Sequence, residues 1–376
     1  MILKNLCILP WIHIEADAMG RAKPCCLYEN NLGDFSEENL LNVWNAEKMQ
    51  ALRREFLQDA RPIGCRQCWV TEDANGESKR LRDNYRFRHN RRRLDLPIDA
   101  VPPPTYYDLK LGTVCNLKCR ICSTASSFNW EEDETMLYGE SLNPNVKSYW
   151  ISDDAPIWTE LTDNLEYAEF FDFSGGEPFL IKRHVQLLKS CVEKNVAKNI
   201  EIHYNTNGTI MPSKELLELW KEFKDVEIMI SMDSTHERFE YLRHPAKWNV
   251  VESNFDFFNS LYYLNTSICY TVSFFTLLYI PEFIRWCKEK NLYNHQYFFN
   301  LMVEPDYLSI NNIPPHAYKT FEDKLQDCAP ASQFVDIMKS NYVDQKVQFD
   351  WVTNSVDKFR GETWTKTFPE IYELVR

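Results

Sequence analysis

Positive charge is in short supply in this chain: 42 Lys and Arg stand against 55 Asp and Glu, a net charge of −13 at pH 7. That balance argues against general binding to a nucleic acid backbone or to an anionic membrane. A secretory leader is missing as well, since Met1 to Trp11 holds one Lys, no long apolar run and no small-residue cleavage site. Residues 257–281 carry no charge for 25 positions, a length that would span a bilayer. Asn259, Ser260, Asn265, Thr266 and Ser267 interrupt the run and Pro281 ends it. A helix end, a turn and a buried strand are expected there instead. Internal repeats and low-complexity segments are also missing. What is there is 14% aromatic and 44% apolar residues in 376 positions, enough for a globular core and two or so domains. Twelve cysteines without a leader point away from a disulfide framework and towards thiols kept free for metal in a reducing cytoplasm.

From about residue 105 one pattern recurs: short apolar strand, polar loop, longer amphipathic segment. Strands are expected at 106–111, 168–173, 200–205, 226–232, 267–275 and 297–303. Helices are expected at 179–195, with Leu180, Val185, Leu188 and Val192 near one face, and at 213–223, opened by Ser213 as N-cap. A third helix is expected at 281–290. Six strands alternating with helices predict an α/β fold with a parallel sheet, open or partly closed as a (β/α)6 TIM-like barrel. Each strand is followed by a polar or glycine-rich patch, and in parallel barrels the site lies at the carboxyl ends of the strands. Pro97 and Pro102–Pro104 mark a boundary before this core. Helical patterns follow Pro314 and Pro315. The expected organisation is a small N-terminal cysteine-rich module at 1–78, a basic linker at 79–104, the core at 105–313 and a C-terminal helical extension at 314–376.

The first of the strand-end patches reads Cys115-Asn116-Leu117-Lys118-Cys119-Arg120-Ile121-Cys122. Ordinary ferredoxin-type clusters use four cysteines; a tight set of three leaves one iron of a four-iron four-sulfur cluster without a protein ligand. A zinc site is the plainer alternative. However, no His or Cys follows Cys122 at zinc-knuckle spacing, the next being His184. The Cys-x3-Cys-x2-Cys spacing resembles the signature of the radical S-adenosylmethionine (radical SAM) superfamily. The resemblance implies a catalytic 4Fe-4S cluster on Cys115, Cys119 and Cys122. It also implies reductive cleavage of S-adenosyl-L-methionine to a 5′-deoxyadenosyl radical that abstracts hydrogen from a substrate. Gly175, Gly176, Glu177 and Pro178 resemble that family's Gly-Gly-Glu motif, in which glycines let the backbone approach the cofactor closely. Ser231 and Asp233 look like its Ser-x-Asp pattern, contacting ribose or carboxylate; Asp233 as a helix cap is the alternative. Arg243 matches an arginine whose fork takes the cofactor carboxylate, or it makes a surface ion pair. Thr206 and Asn207 are further candidates for cofactor contact. Tyr107, Lys110 and Phe128 flank the loop, to line it or to pack.

A second metal signal precedes the core. Cys7, Gly20 and Cys25, then Cys65 and Cys68 as Cys-x2-Cys, resemble the half-motif of the twitch subdomain, a short form of the SPASM domain, here N-terminal rather than C-terminal to the core. The resemblance implies an auxiliary 4Fe-4S cluster on four cysteines; a four-cysteine zinc site is the alternative. Cys26, adjacent to Cys25, is an equally placed ligand by type, and spacing favours Cys25. Lys79–Arg93 holds eight Lys and Arg. It is read as a solvated or core-packed helix, with an anionic substrate or nucleic acid as the other reading. Asp357–Gly361 and Phe368–Glu370 also look familiar from that group.

The chain is thus identified as a radical SAM enzyme, an oxidoreductase or a peptide- or small-molecule-modifying enzyme. A flavodoxin or ferredoxin is the expected reductant. A peptide side chain, a sugar-like alcohol or a nucleotide is the expected substrate. A non-catalytic iron–sulfur or zinc protein on the same fold and a nucleic-acid-modifying enzyme are the alternatives. No catalytic acid or base is assigned.

Overall fold

The computed structural model describes residues 3–73, 76–142 and 155–376. The chain forms two compact units: Met1–Val114 with Asn145–Tyr204 and Pro212–Val226, and Cys115–Pro144 with Asn205–Met211 and Glu227–Arg376.

The first unit carries strands β1 (His13–Ala16), β2 (Arg21–Lys23), β3 (Gly33–Asp34), β4 (Tyr106–Lys110), β5 (Phe170–Ser174) and β6 (Glu201–Thr206), whose last two residues fall in the second unit. Their order is β3-β2-β1-β4-β5-β6. β1, β4, β5 and β6 run parallel; β2 and β3 are antiparallel additions at the edge. Three strands therefore come from the N-terminal region, where none was expected. They are two to four residues long, too short for an apolar period to show in sequence.

Alternation divides the sheet residues between two faces. On one face Tyr107 stacks on Phe171 at 5.5 Å, and Phe173, Tyr204 and Trp220 follow at 5.2 and 5.4 Å. Burying each such ring contributes roughly 1.5–3 kcal/mol. Helices Arg183–Glu193 and Lys214–Trp220 belong to this layer. The second opens as expected, with the Ser213 hydroxyl accepting from the Leu216 N–H at 3.2 Å. The first starts later than expected, because Pro178–Leu180 forms a 3-10 turn. Its buried face is His184, Leu187, Leu188 and Cys191, so Val185 and Val192 are only half-buried and Leu180 is exposed. On the other face Tyr106 meets Phe170 and His13 edge-on at 4.7 and 4.1 Å.

The basic segment packs into this unit. Lys79–Arg86 is a helix capped by Ser78, and Arg88–Asp95 continues as 3-10 turns. Arg80 is 5% exposed, pairs with Glu72 and donates to the Leu6 carbonyl. Arg93 donates to the carbonyls of Trp11 and Pro103. These guanidiniums cap buried backbone oxygens, which is the core-packed reading of the strip.

The second unit carries the parallel strands β7 (Asp225–Ser231), β8 (Asn265–Val272) and β9 (Tyr297–Leu301), in that order, β7 beginning in the first unit. Helices Trp248–Ser260 and Ile280–Glu289 join around Trp286, which contacts Trp248 and Phe255 at 5.4 and 5.6 Å. The uncharged run 257–281 resolves into the end of one helix, a turn and β8, as its polar interruptions predicted. Among the described residues no helix is long and apolar enough to cross a membrane. Beyond Pro315 the chain is helical, ending in Tyr318–Leu325, Ala329–Ser340, Lys346–Arg360, Trp364–Thr367 and Pro369–Val375. The fold is α/β, with parallel strands and helices following the small N-terminal strands and a helical C-terminus.

Candidate functional site

In the second unit the loop from Cys115 to Cys122 is held along its whole length. Its backbone donates from Lys118 to the His244 carbonyl and from Arg120 to the Leu242 carbonyl, both at 2.8 Å. Its own carbonyls are taken up by the next turn: Asn129 donates to Cys115, the Ser127 hydroxyl to Leu117 and the Trp130 indole to Cys119, at 2.7, 2.6 and 2.8 Å. Cys115 and Cys119 are buried and Cys122 is half-buried. N–H donors face the sulfurs. The Leu117 amide lies 3.4 Å from Cys115 Sγ, Asn207 Nδ2 3.7 Å from the same sulfur, and an Arg243 guanidinium nitrogen 4.0 Å from Cys119 Sγ. The bond between Cys119 and Cys122 holds the Cys119 thiol below its ordinary value, against its burial and with help from Arg243, and lifts that of Cys122. Such donors favour thiolate, the form that binds metal.

Several expected residues meet here. Arg243 makes a buried two-pronged pair with Asp233, Nη2 to Oδ1 at 2.9 Å and Nε to Oδ2 at 2.8 Å. Asp233 also accepts from the Thr271 amide at 3.3 Å. It caps no helix, since Thr235 is the N-cap of His236–Leu242. Arg243 is no surface ion pair either, being 7% exposed. Its fork lies on Asp233, itself one of the residues expected at the cofactor. Ser231 ends β7 in register with Cys269. Thr206 is buried, and its hydroxyl accepts from the Gly208 amide at 3.1 Å. Asn207 bridges Asn116 and Thr209.

The C-terminal helix braces the loop in a way the sequence reading did not assign. Asp357 accepts from Arg120, from the Tyr241 hydroxyl at 2.8 Å and from the Trp364 amide at 2.6 Å. Arg120 also pairs with Glu362, which takes a bond from His244 at 2.6 Å. Arg360 pairs with Asp133 at 2.6 Å, and Asp133 with Lys118 at 2.9 Å. The one signal in sequence was the Asp357–Gly361 segment, noticed as familiar without a role.

In the first unit the glycine turn follows β5. Gly175 and Gly176 adopt φ of +81° and +51°. A Cβ on Gly176 would stand 2.2 Å from the carbonyl oxygen of Val114, the residue before Cys115, and one on Gly175 would stand 2.9 Å from the Lys110 backbone. The Glu177 amide donates to that Val114 carbonyl at 2.8 Å. The Glu177 side chain is fully buried and accepts from the Phe179 amide at 3.2 Å, and Pro178 opens the 3-10 turn. The cradle admits only glycine, as a close backbone approach requires. Tyr107 packs against Phe171, and Lys110 pairs with Glu15.

The N-terminal cysteines also gather in this unit. Cys7 interacts electrostatically with Cys65 and Cys68, Cys25 with Cys7, and Cys65 with Cys68. Burial, then these neighbours, push Cys7 and Cys25 well up and Cys65 to about 12. Cys26 instead interacts with Lys79, Asp108 and Glu15. All of these thiols are free of disulfides. Burial opposes ionisation of Cys7, Cys25 and Cys65, a cost that a bound metal cofactor would offset. Sulfurs around a single zinc ion would stand about 3.8 Å apart. Among the described residues the only trio of ligand atoms within 4.8 Å is Glu15, Cys26 and Asp108. Both cysteine sets are therefore spread wider than one ion requires, which suits a cluster.

Comparison with known proteins agrees with this chemistry. No curated protein matches the chain. Solved structures resemble it distantly. Native anSMEcpe with bound AdoMet shows 23% identity over 63% of this chain and 62% of that one, at a TM-score of 0.41. Polyhistidine-tagged anSMEcpe with bound AdoMet shows 24% identity over 64% and 61%, at 0.44. Streptococcus suis SuiB bound to S-adenosylmethionine shows 16% identity over 78% and 62%, at 0.40. The matches thus span about three fifths of those structures' lengths. Residues 109–287 match the radical SAM superfamily, and residues 7–69 match SPASM, an iron–sulfur cluster-binding domain. The cofactors of these two matches are a 4Fe-4S cluster with S-adenosylmethionine and an auxiliary iron–sulfur cluster, and the chain joins a SPASM-like module to a radical-SAM-like core, module first.

Proposed function

We propose that this protein is a radical SAM enzyme whose N-terminal module is the short, twitch form of the SPASM domain. The observation that carries the reading is the loop Cys115–Cys122, with three cysteines in eight residues and N–H donors on two of the sulfurs. Cys115, Cys119 and Cys122 would hold the catalytic cluster. The Gly175–Pro178 cradle would take S-adenosylmethionine, with Ser231, Asp233, Thr206 and Asn207 supporting the site. Arg243 positions Asp233 and lends charge to Cys119. Cys7, Cys25, Cys65 and Cys68 would hold the auxiliary cluster. Together these groups, when bound, supply a 5′-deoxyadenosyl radical for hydrogen abstraction and a site for the electron left on the product, giving net oxidation. The chain's own share is orientation and exclusion of water. The module 1–78, the segment 79–104, the core 105–313 and the extension 314–376 are the working division. A flavodoxin or ferredoxin in the reducing cytoplasm is the proposed electron source.

The test is formation of 5′-deoxyadenosine by the anaerobically reconstituted, dithionite-reduced protein, with iron counted alongside. About eight irons per chain and 5′-deoxyadenosine are expected for the wild type, and about four irons without product for the Cys115/Cys119/Cys122→Ala variant. Wild-type protein that binds iron yet releases no 5′-deoxyadenosine would overturn the reading in favour of a non-catalytic iron–sulfur protein.

A further inference from the structure

Four titratable side chains stand abreast across the first unit's sheet. Pairing sets Glu15 of β1 beside Asp108 of β4, Asp108 beside Asp172 of β5, and Asp172 beside His203 of β6. Residues abreast in neighbouring strands point to the same face about 4.8 Å apart. The row lies next to the aromatic layer of His13, Tyr106 and Phe170. Like charges directly opposite destabilise a sheet, so three carboxyls in line, two of them buried, need an explanation.

Most of the charges in and around the row are matched. Asp172 pairs with His203 Nδ1 at 3.0 Å, and this pairing outweighs burial to hold its carboxyl below the ordinary range. Lys110 pairs with one oxygen of Glu15, and Lys79 with Asp83 at 3.0 Å. Asp108 is the acid left over. It is 5% exposed, and burial, then Asp172 and Glu15, push its carboxyl well up. Glu15 is fully buried, and its second oxygen, Oε2, has no hydrogen-bond partner. One ligand atom from each of Glu15, Asp108 and the exposed Cys26 lies within 4.8 Å of the other two.

We infer that Glu15, Asp108 and Cys26 form a substrate subsite for a primary ammonium group. An –NH3+ group has three donors. Acceptors placed about 2.9 Å from its nitrogen at tetrahedral angles stand about 4.7 Å from one another, and these three atoms all lie within 4.8 Å of one another. A single charge balances the acid left over. The inference deepens the proposed function by naming a group the substrate carries. Binding, unlike turnover, is measured without S-adenosylmethionine cleavage, so either reading can fail alone.

The experiment is calorimetric titration of the anaerobically reconstituted protein with n-pentylamine and glucosamine, against pentan-1-ol and glucose as neutral counterparts. The amines should bind at least about tenfold more tightly. Asp108→Asn should abolish that preference while leaving the unliganded thermal midpoint equal to or above wild type, because it removes a repulsive charge. Cys26→Ala, at an exposed position, should weaken amine binding about threefold and leave folding alone. Equal affinity for amines and neutral counterparts would overturn the inference. So would an Asp108→Asn protein that keeps the preference or melts below wild type. Stoichiometric binding of Mn(II) or Zn(II) lost in Cys26→Ala would replace it with a metal site.

Discussion

The two cysteine sites solve the same problem in opposite ways. Cys115, Cys119 and Cys122 come from one loop and face an amide, an asparagine and an arginine. Cys7, Cys25, Cys65 and Cys68 come from three places in the first unit, and burial dominates at the three whose thiols are shifted. In the first set, N–H donors already face the sulfurs of Cys115 and Cys119 before any iron arrives. At the second, burial opposes charge on Cys7, Cys25 and Cys65, so a bound cluster would supply what offsets it. The loop site should therefore survive loss of its cluster as structure, and the N-terminal site should not.

The largest effect expected is from metal removal. Stripping iron from the N-terminal set, or Cys65→Ala with Cys68→Ala, should destabilise the protein by at least about 3 kcal/mol, and stripping the loop set by clearly less. Urea unfolding of the two cysteine variants, reconstituted side by side, measures this; equal losses would break the contrast.

Next comes Arg243→Ala. It strips the charge from Cys119 and leaves Asp233 buried and unpaired, so a loss of roughly 3–5 kcal/mol is expected. Arg243→Lys should recover only part of it, because a point charge cannot replace the fork. Chemical denaturation together with iron content per chain checks both, and full recovery by Lys would show that the fork geometry is irrelevant.

Two glycines give a sharper contrast. Gly176→Ala meets the Val114 carbonyl at 2.2 Å with a positive φ, and should cost about 2 kcal/mol or more and abolish S-adenosylmethionine binding. Gly361→Ala has the same handedness, φ +69°, but nothing within 4 Å; about 1 kcal/mol is expected. Thermal melts with S-adenosylmethionine titrations distinguish clash from conformation.

A similarly small effect is expected of Asp357→Asn, which weakens the brace on Arg120 and Tyr241. A cost of about 1–2 kcal/mol is expected, read as faster loss of the loop cluster to a chelator with little change at the N-terminal set. Equal acceleration at both would show that the brace is not local to the loop.

Much of this was legible in sequence wherever the information is local. The three-cysteine spacing, the Ser213 cap and the β4 to β9 strands are patterns within a few residues. What was missed depends on distant partners. The short strands β1 to β3 hold together only by pairing, β1 lying against β4 some 90 residues on. The Asp357 brace reaches Arg120 across 237 positions. The buried face of Arg183–Glu193 slipped because a 3-10 turn displaced its start.

By itself, then, the sequence determined the cluster chemistry, since ligand type and spacing set which metal centre a loop can hold. Only the tertiary structure brought Cys25 into electrostatic reach of Cys7 and set Cys26 beside Lys79, Asp108 and Glu15. The same structure turned Arg243 onto Asp233 and lined up Glu15, Asp108, Asp172 and His203. Strand register and burial, which depend on residues far apart in the chain, choose the partners of every charge.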